Sequence, residues 1–574
     1  MTGFLLAPSA PSPSEDLRAL FAEYWDHESE RNPTDATYRG DHRWSDRLED
    51  LSAESRERDA SARRGFLERV RGIDRGRLSE EERLSALIFE RLLSTDLESL
   101  TFEPHLTPVS QQGGPHLAFA ELPSFHPFDT AEHAEAYVAR LRAFPGLVDQ
   151  MIANLRSGAA RHVVAWRGSI ERSVPQAREL AAAGPDGKHP LSVAPDAMGE
   201  RIPAAERERI AAAIGAAVAE SVRPAYARLA DFLETEYLPA CRAEPGIRSL
   251  PRGEERYAFE VRRHTTTDLP PREVHELGLR EIARIRGEME TIRAAVGFDG
   301  SLQEFFAHLR ADPSLHHTSV EAYLEEYRGI LREMDAKLPD LFGRLPRARY
   351  ELKELESWRA QAAPTAYYYG PPDDGSRPGY FYVNTYDLAS RPRYSMEALA
   401  YHEAVPGHHL QIALQQELDL PDFRRHRGFT AYVEGWGLYS ERLPKEVGLY
   451  RDPYSDFGRL VFEAWRAARL VVDTGLHAFG WSRERAIEYL EANTALARHD
   501  IESEVDRYIA SPGQALAYKI GEIRIRELRR EAEEALGEGF DVRRFHDVVL
   551  GSGSLPLDVL TGRVRTWIEA QGRG

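Results

Sequence analysis

Two titratable residues stand side by side at His402-Glu403, and two more histidines, His408 and His409, follow the turn-forming pair Pro406-Gly407. A histidine followed directly by a glutamate is the first half of a helical metal-hydrolase arrangement. The imidazole holds the ion and the carboxylate acts as general base on water. In the common form a second histidine follows four residues later, but position 406 is proline. Geometry must therefore decide what replaces it. His409, seven residues on, shares nearly the same helical face but lies about 10 Å further along an ideal helix. Two nitrogens each ~2.1 Å from one metal cannot be that far apart. His408, six residues on, would point to the wrong face of a regular helix. Proline lacks the backbone donor and glycine admits unusual dihedrals, so a regular helix is unfavourable here. A local bulge would bring His408 beside His402. His408 therefore ranks ahead of His409 as second ligand, and both stay open.

Catalytic zinc keeps three protein ligands and one open position. The segment from Phe429 to Glu441 reads as a mainly apolar helix carrying two carboxylates, Glu434 and Glu441. A carboxylate buried on such a helix is costly unless it is paired or bound to a metal. The expected set is one zinc ion on His402, His408 and Glu434, with Glu403 as base. Glu441, further along the helix, is placed to support a ligating histidine.

The elements that must position these residues are mostly helical. Val274, Gly278, Ile282, Ile285, Met289, Ile292 and Val296 form an amphipathic stripe, with Pro270-Pro271 as its start. Similar patterns occupy roughly 204–236, 318–337, 455–478, 483–497 and 520–536. Strand signals concentrate between Arg349 and Tyr386, where Tyr367–Tyr369 and Tyr380–Val383 flank a Gly/Pro/Asp turn. This hairpin or strand pair immediately precedes the metal helix, which is expected to begin near Ser395. The fold class is therefore mainly α: a large helical body with a deep central groove and a small β element beside the metal helix. No repeat of fixed period is present, which disfavours a solenoid. Residues 1–14 read as a disordered tail, 15–260 as an N-terminal helical region and 261–574 as the catalytic helical region. The boundary near 260 is soft enough for the two halves to form one continuous domain.

With 42% hydrophobic and 29% charged residues the chain can bury a sizeable core. Its net charge of −19 argues against nucleic acid or an anionic membrane as the main partner. The single cysteine, Cys241, excludes an internal disulfide and a Cys-based metal site. No stretch approaches the ~18 apolar residues of a membrane span. The apolar run Phe4–Ala7 lacks a basic flank and is too short for a signal peptide. A cytoplasmic protein is expected.

HEAVPGHHLQ, preceded by PGYFYVNTYDL and followed by YVEGWGLYSERL, VVDTGLH, SPGQALAYKIG and LPLDVL, resembles the bacterial "domain of unknown function 885" family over about residues 15–570. The resemblance implies a mostly helical fold similar to thermostable carboxypeptidases and thimet-type oligopeptidases, zinc peptidases with a deep groove between helical halves. In those relatives a glutamate some two dozen or more residues after the His-Glu pair completes the site, and Glu434 stands at a matching position. Pro406 departs from them. The resemblance also points to tyrosines late in the chain, and Tyr508 and Tyr518 are the candidate oxyanion donors. His477, four residues after Asp473, is a further candidate beside the site. Asn384 and Tyr386 are candidates for binding substrate backbone, with Gln514 and Arg507 as further substrate contacts. A substrate carboxylate would need an arginine fork, for which Arg469, Arg507 and Arg524 are available.

The reading that follows is a zinc-dependent hydrolase of peptide or amide bonds acting on short peptides. The alternatives are an amidase of a specialised metabolite and a non-catalytic helical binding protein with a decayed metal site.

Overall fold

The computed structural model describes residues 12–182, 184, 189–355, 360 and 364–572. It is built of helices with one small three-stranded sheet. Residues 1–11 of the expected tail lie outside the described residues. From Ser12 the chain is already ordered, against expectation: Ser12 and Glu15 cap the helix Pro13–Arg31 reciprocally and satisfy its first N–H groups.

Side chains of residues 109–237 pack a core of their own. A larger core takes in residues 17–93 together with residues from 247 to 564. Tyr257, Val261 and Val274 lie in it together, so packing runs continuously past residue 260. The segment expected as one helix over 204–236 winds more widely at Val218–Val222 and Leu233–Tyr237. Each wide turn lies just before a proline, Pro224 or Pro239, whose missing N–H and bulky ring disturb the regular ladder.

Seven helices frame the region around His402. They are α1 (Pro271–Ala295), α2 (Met396–Glu403), α3 (His408–Gln416), α4 (Thr430–Ser440), α5 (Pro453–His477), α6 (Arg498–Ala510) and α7 (Ala517–Leu536). Helix α1 starts at the proline pair and buries Val274, Gly278, Ile282, Ile285 and Met289, the stripe legible in the sequence. It packs on α5, which is enclosed along almost its whole length. A helix buried on every side must pair its charges. Glu463 of α5 meets Lys519 of α7 at 2.8 Å, and Lys519 also reaches Glu522 at 2.9 Å and Glu281 of α1 at 3.1 Å. This cluster ties three helices together.

Helices α4 and α7 approach through facing glycines. A Cβ on Gly521 would lie 1.8 Å from the Ala431 carbonyl oxygen, and one on Gly435 would lie 2.5 Å from the Gly521 Cα. Only two glycines permit this contact, and it sets Glu434 of α4 close to Tyr518 of α7.

The strands are β1 (Tyr350–Glu354), β2 (Ala366–Tyr369) and β3 (Gly379–Val383), in the order β1-β3-β2. Strands β2 and β3 pair antiparallel with Tyr367 opposite Tyr382, as the aromatic runs and turn imply. Strand β1 adds parallel to β3. Its sequence, YELKE, lacks the aromatic run that marked the other two.

Gly521→Ala is expected to destabilise the protein by about 1–3 kcal/mol through overpacking. Gly562, whose added Cβ meets nothing within 4 Å, is the control. Thermal unfolding of both variants checks this, and equal melting temperatures would contradict the account of the α4–α7 contact.

Candidate metal centre

Helix α2 ends at Glu403, the chain turns through Ala404–Gly407 with a cis Val405–Pro406 peptide, and α3 restarts at His408. The expected bulge in one helix is instead a break between two. Gly407 lies so tightly under α2 that a Cβ would come 1.9 Å from the His402 carbonyl oxygen. Trp436 of α4, fully buried, donates its indole N–H to the Pro406 carbonyl at 2.9 Å and clamps the turn. The result brings the His402 and His408 rings to 4.7 Å between centroids.

Glu434 completes the group. Its Oε2 lies 3.7 Å from His402 Nε2 and 3.4 Å from His408 Nε2. Donors on a tetrahedral ion with bonds of ~2.1 Å stand roughly 3.4 Å apart, so these separations suit one metal. Glu434 Oε2 is buried without a hydrogen-bond partner, as a group that needs a cation would be. Burial alone would raise the Glu434 pKa, but the two imidazoles hold it well below the usual carboxylate range. His402 turns its other nitrogen, Nδ1, to Glu441 Oε1 at 2.8 Å, which fixes the ring and leaves Nε2 facing Glu434. Burial opposes protonation of His402, yet Glu434 and Glu441 raise its pKa to about 9. Gly437 makes room for the ring: a Cβ there would lie 2.7 Å from His402 Cε1.

His409 points elsewhere. Its Nδ1 meets the Tyr368 hydroxyl at 2.8 Å and its ring lies against Tyr350, so it docks the sheet onto α3. Burial lowers its pKa to about 4. One other cluster of possible ligands among the described residues, His27, Glu28 and Asp59, is already saturated by Arg31 and Arg63.

A cavity of about 960 Å³ opens onto the triad, lined also by Glu403, Tyr386, Arg469, Arg507 and Tyr518. The Tyr518 ring stacks near His402, 6.2 Å between centroids. Gln514 is not itself on the cavity wall: its Nε2 donates to the Tyr518 hydroxyl at 3.5 Å and its Oε1 accepts from Arg507 at 2.7 Å. Tyr386, 57% exposed, sits at the rim.

Besides Gln514, four expected residues do not reach the cavity. The Tyr508 hydroxyl is spent: it accepts from Trp465 at 2.8 Å and Arg469 at 2.9 Å and donates to Glu504 at 2.7 Å. His477 is buried between backbone groups, Nδ1 accepting from Ile247 N–H and Nε2 facing the Tyr508 carbonyl, and burial lowers its pKa to about 3. Asp473 does not orient it, being engaged with the Tyr257 hydroxyl and the Gly513 N–H. Asn384 is turned inward, its amide donating to the Ala360 and Pro364 carbonyls. Arg524 pairs with Glu527 away from the cavity. Arg466, which the sequence reading passed over, lies in the wall beside Arg469. Their i, i+3 spacing, which sets both on one face of α5, was the available signal.

The turn, the two imidazoles and the apolar-helix glutamate coincide with the motifs that carry a family resemblance. The sequence matches the family described as "Bacterial protein of unknown function (DUF885)" over residues 33–564. The chain belongs to this family. A solved structure named as "the putative lipoprotein from Colwellia psychrerythraea" superimposes with a TM-score of 0.92 at 30% identity, covering 98% of this chain and 100% of the other. A second, named as "a putative lipoprotein of unknown function from Shewanella oneidensis", gives 0.70 at 19% identity over 96% and 99%, a likeness of fold. No curated protein matches the sequence. Among the described residues no helix is long and apolar enough to cross a membrane.

In equilibrium dialysis with a divalent metal, His408→Ala is expected to lose binding and His409→Ala to keep it. Glu441→Gln should weaken affinity by about 10–100-fold. With His402 raised to about 9, metal entry must displace its proton, so affinity should climb as pH rises from 6.5 and level off above about 9. Binding that ignores pH, or is lost in His409→Ala, would contradict this ligand set.

Proposed function

We propose that the protein is a zinc-dependent hydrolase of peptide or amide bonds acting on short peptides. The observation that carries this reading is the convergence of His402, His408 and Glu434 on one cavity, with Glu403 next to the first ligand and on the same wall. Two imidazoles, one carboxylate and room for a fourth partner form a donor set that zinc hydrolases use. Held there, zinc would polarise a carbonyl and acidify water.

The remaining chemistry belongs to the chain. Glu403 accepts the proton of the attacking water and delivers it to the departing amine. The Tyr518 hydroxyl accepts from Gln514, which leaves its own proton free for the oxyanion that develops on the substrate carbonyl. Burial raises the Tyr518 pKa, so the hydroxyl keeps that proton at neutral pH. Arg469, 4.3 Å above the Tyr518 ring, fixes its plane. A general base beside the ligands has no use in a purely structural site, which favours catalysis over a decayed binding protein. The same chemistry would serve a non-peptide amide, and mass spectrometry of a digested peptide library separates the two substrates.

Glu403→Gln is expected to retain metal and lose about 10²–10⁴-fold in turnover. Tyr518→Phe should lower kcat by about 10²–10³-fold, whereas Tyr508→Phe should show mainly in the melting temperature. A purified protein that holds no metal and hydrolyses peptides undiminished by chelator would overturn the reading.

A further inference from the structure

Six arginines line the cavity, and five have carboxylate partners. Arg172 and Arg483 meet Asp506 at 2.9 and 2.6 Å, Arg391 meets Asp500 at 3.1 Å, and Arg469 and Arg507 each meet Glu504 at 2.9 Å. Arg466 is different. It is 4% exposed, its nearest carboxylate is Glu441 at 3.9 Å, and its Nε and Nη1 have no hydrogen-bond partner. A separation of 3.9 Å is beyond a hydrogen bond. One turn along α5, Arg469 Nη1 is also without a partner. A buried cation lacking an anion is costly, and the cost is removed by an anionic ligand. Burial lowers the pKa of Arg466, whereas at Arg469 it is outweighed by Tyr508 and Glu504 and at Arg507 by Glu504 and Tyr518, which raise theirs.

The position of this cation limits the ligand. Arg466 and Arg469 lie 5.9 and 4.3 Å from the Tyr518 ring, whose other neighbour is His402. Arg466 Nη2 stands 3.9 Å from Glu441 Oε1, itself 2.8 Å from His402 Nδ1, so an anion held here lies at most about two residues from that ligand, at ~3.5 Å of chain per residue. Arg466 is stacked on Phe462 and Trp465 at 4.5 and 4.4 Å. These two rings also wall a second chamber of about 280 Å³, which shares Phe462, Trp465 and the Arg391–Asp500 pair with the first and is faced by Tyr323, Tyr327, Val461 and Leu496. A cavity of about 150 Å³ already accepts benzene.

We propose that Arg466, helped by the free edge of Arg469, binds the α-carboxylate of the substrate's terminal residue, whose bulky apolar side chain enters the aromatic chamber. This rests on the hydrolase reading above and narrows its substrates to chains ending in a free carboxylate on an aromatic or large aliphatic residue. The bond cut is the last amide. Water adds across it, the C–N bond breaks as a C–O bond forms, and the terminal amino acid leaves with the proton that Glu403 returns to its nitrogen.

Calorimetry on the full chain stripped of metal tests the site apart from catalysis, with N-acetyl-L-phenylalanine, its carboxamide and N-acetylglycine as probes. The acid should bind on the order of 10²-fold more tightly than the amide, the discrimination expected of a desolvated charge pair. N-acetylglycine should bind more weakly than N-acetyl-L-phenylalanine. Arg466→Leu should collapse the acid-to-amide ratio. Leu496→Trp, which fills the chamber and spares the arginine, should reverse the preference between phenylalanine and glycine and keep that ratio. Equal binding of acid and amide by the wild-type chain would overturn the proposal, as would a ratio that survives in a folded Arg466→Leu. Peptide cleavage by the zinc-loaded chain is measured alongside. Cleavage without acid discrimination would sink this proposal alone, and acid discrimination without cleavage would sink only the hydrolase reading.

Discussion

The carboxylate of Glu434 sits on an apolar helix with an oxygen that no protein donor satisfies. Taking an ionised carboxylate out of water costs several kcal/mol even after relaxation, and the cost is borne only where positive charge is brought to it. His402 and His408 are the groups within reach, and much of the surrounding structure serves to keep them there. The break after Glu403 aims His408 back towards His402, and Trp436 clamps that break through the Pro406 carbonyl. The glycine contact between α4 and α7 fixes the depth of Glu434 itself.

Around this centre the charges are arranged in shells. Glu441 steadies His402 from behind. Glu504 draws in Arg469 and Arg507, and Lys519 balances Glu463, Glu522 and Glu281 deeper in the helix stack. At the cavity the pairing is incomplete: Glu434 Oε2 and the Arg466 Nε and Nη1 groups have no hydrogen-bond partner. On the proposed reading, these two side chains on one wall would give a polar substrate a direction, with the bond to be cut near one and its charged end near the other.

Much of this was legible in the sequence because it is local. His402-Glu403 declares itself by adjacency, and Glu434 by standing in the apolar run YVEGWGLYS. Pro406-Gly407 signalled that no regular helix could hold both histidines, which favoured His408 for a reason of geometry. The mechanism of that distortion, a helix ending and restarting, was not fixed by the residues alone. The stripe of α1 followed from its period of about 3.6, and strands β2 and β3 from aromatic runs on either side of a Gly/Pro/Asp turn. Strand β1 has no such pattern and owes its state to pairing with β3.

What was hidden depends on how separate helices face one another. Tyr508 and Tyr518 look equivalent in sequence, yet one hydroxyl is consumed by Trp465, Arg469 and Glu504 while the other meets the cavity. His477 has an aspartate four residues before it, but α5 is buried so deeply that both groups bond to backbone and to Tyr257. Arg466, Arg469, Arg507 and Arg524 could not be ranked until their carboxylate partners were known. The most direct measurement of the central claim is anomalous diffraction at the zinc edge from crystals of the full chain grown with zinc. The account predicts one strong peak about 2.0–2.2 Å from His402 Nε2, His408 Nε2 and a Glu434 oxygen. A pocket without a peak, or an ion bound through His409 instead, would contradict it.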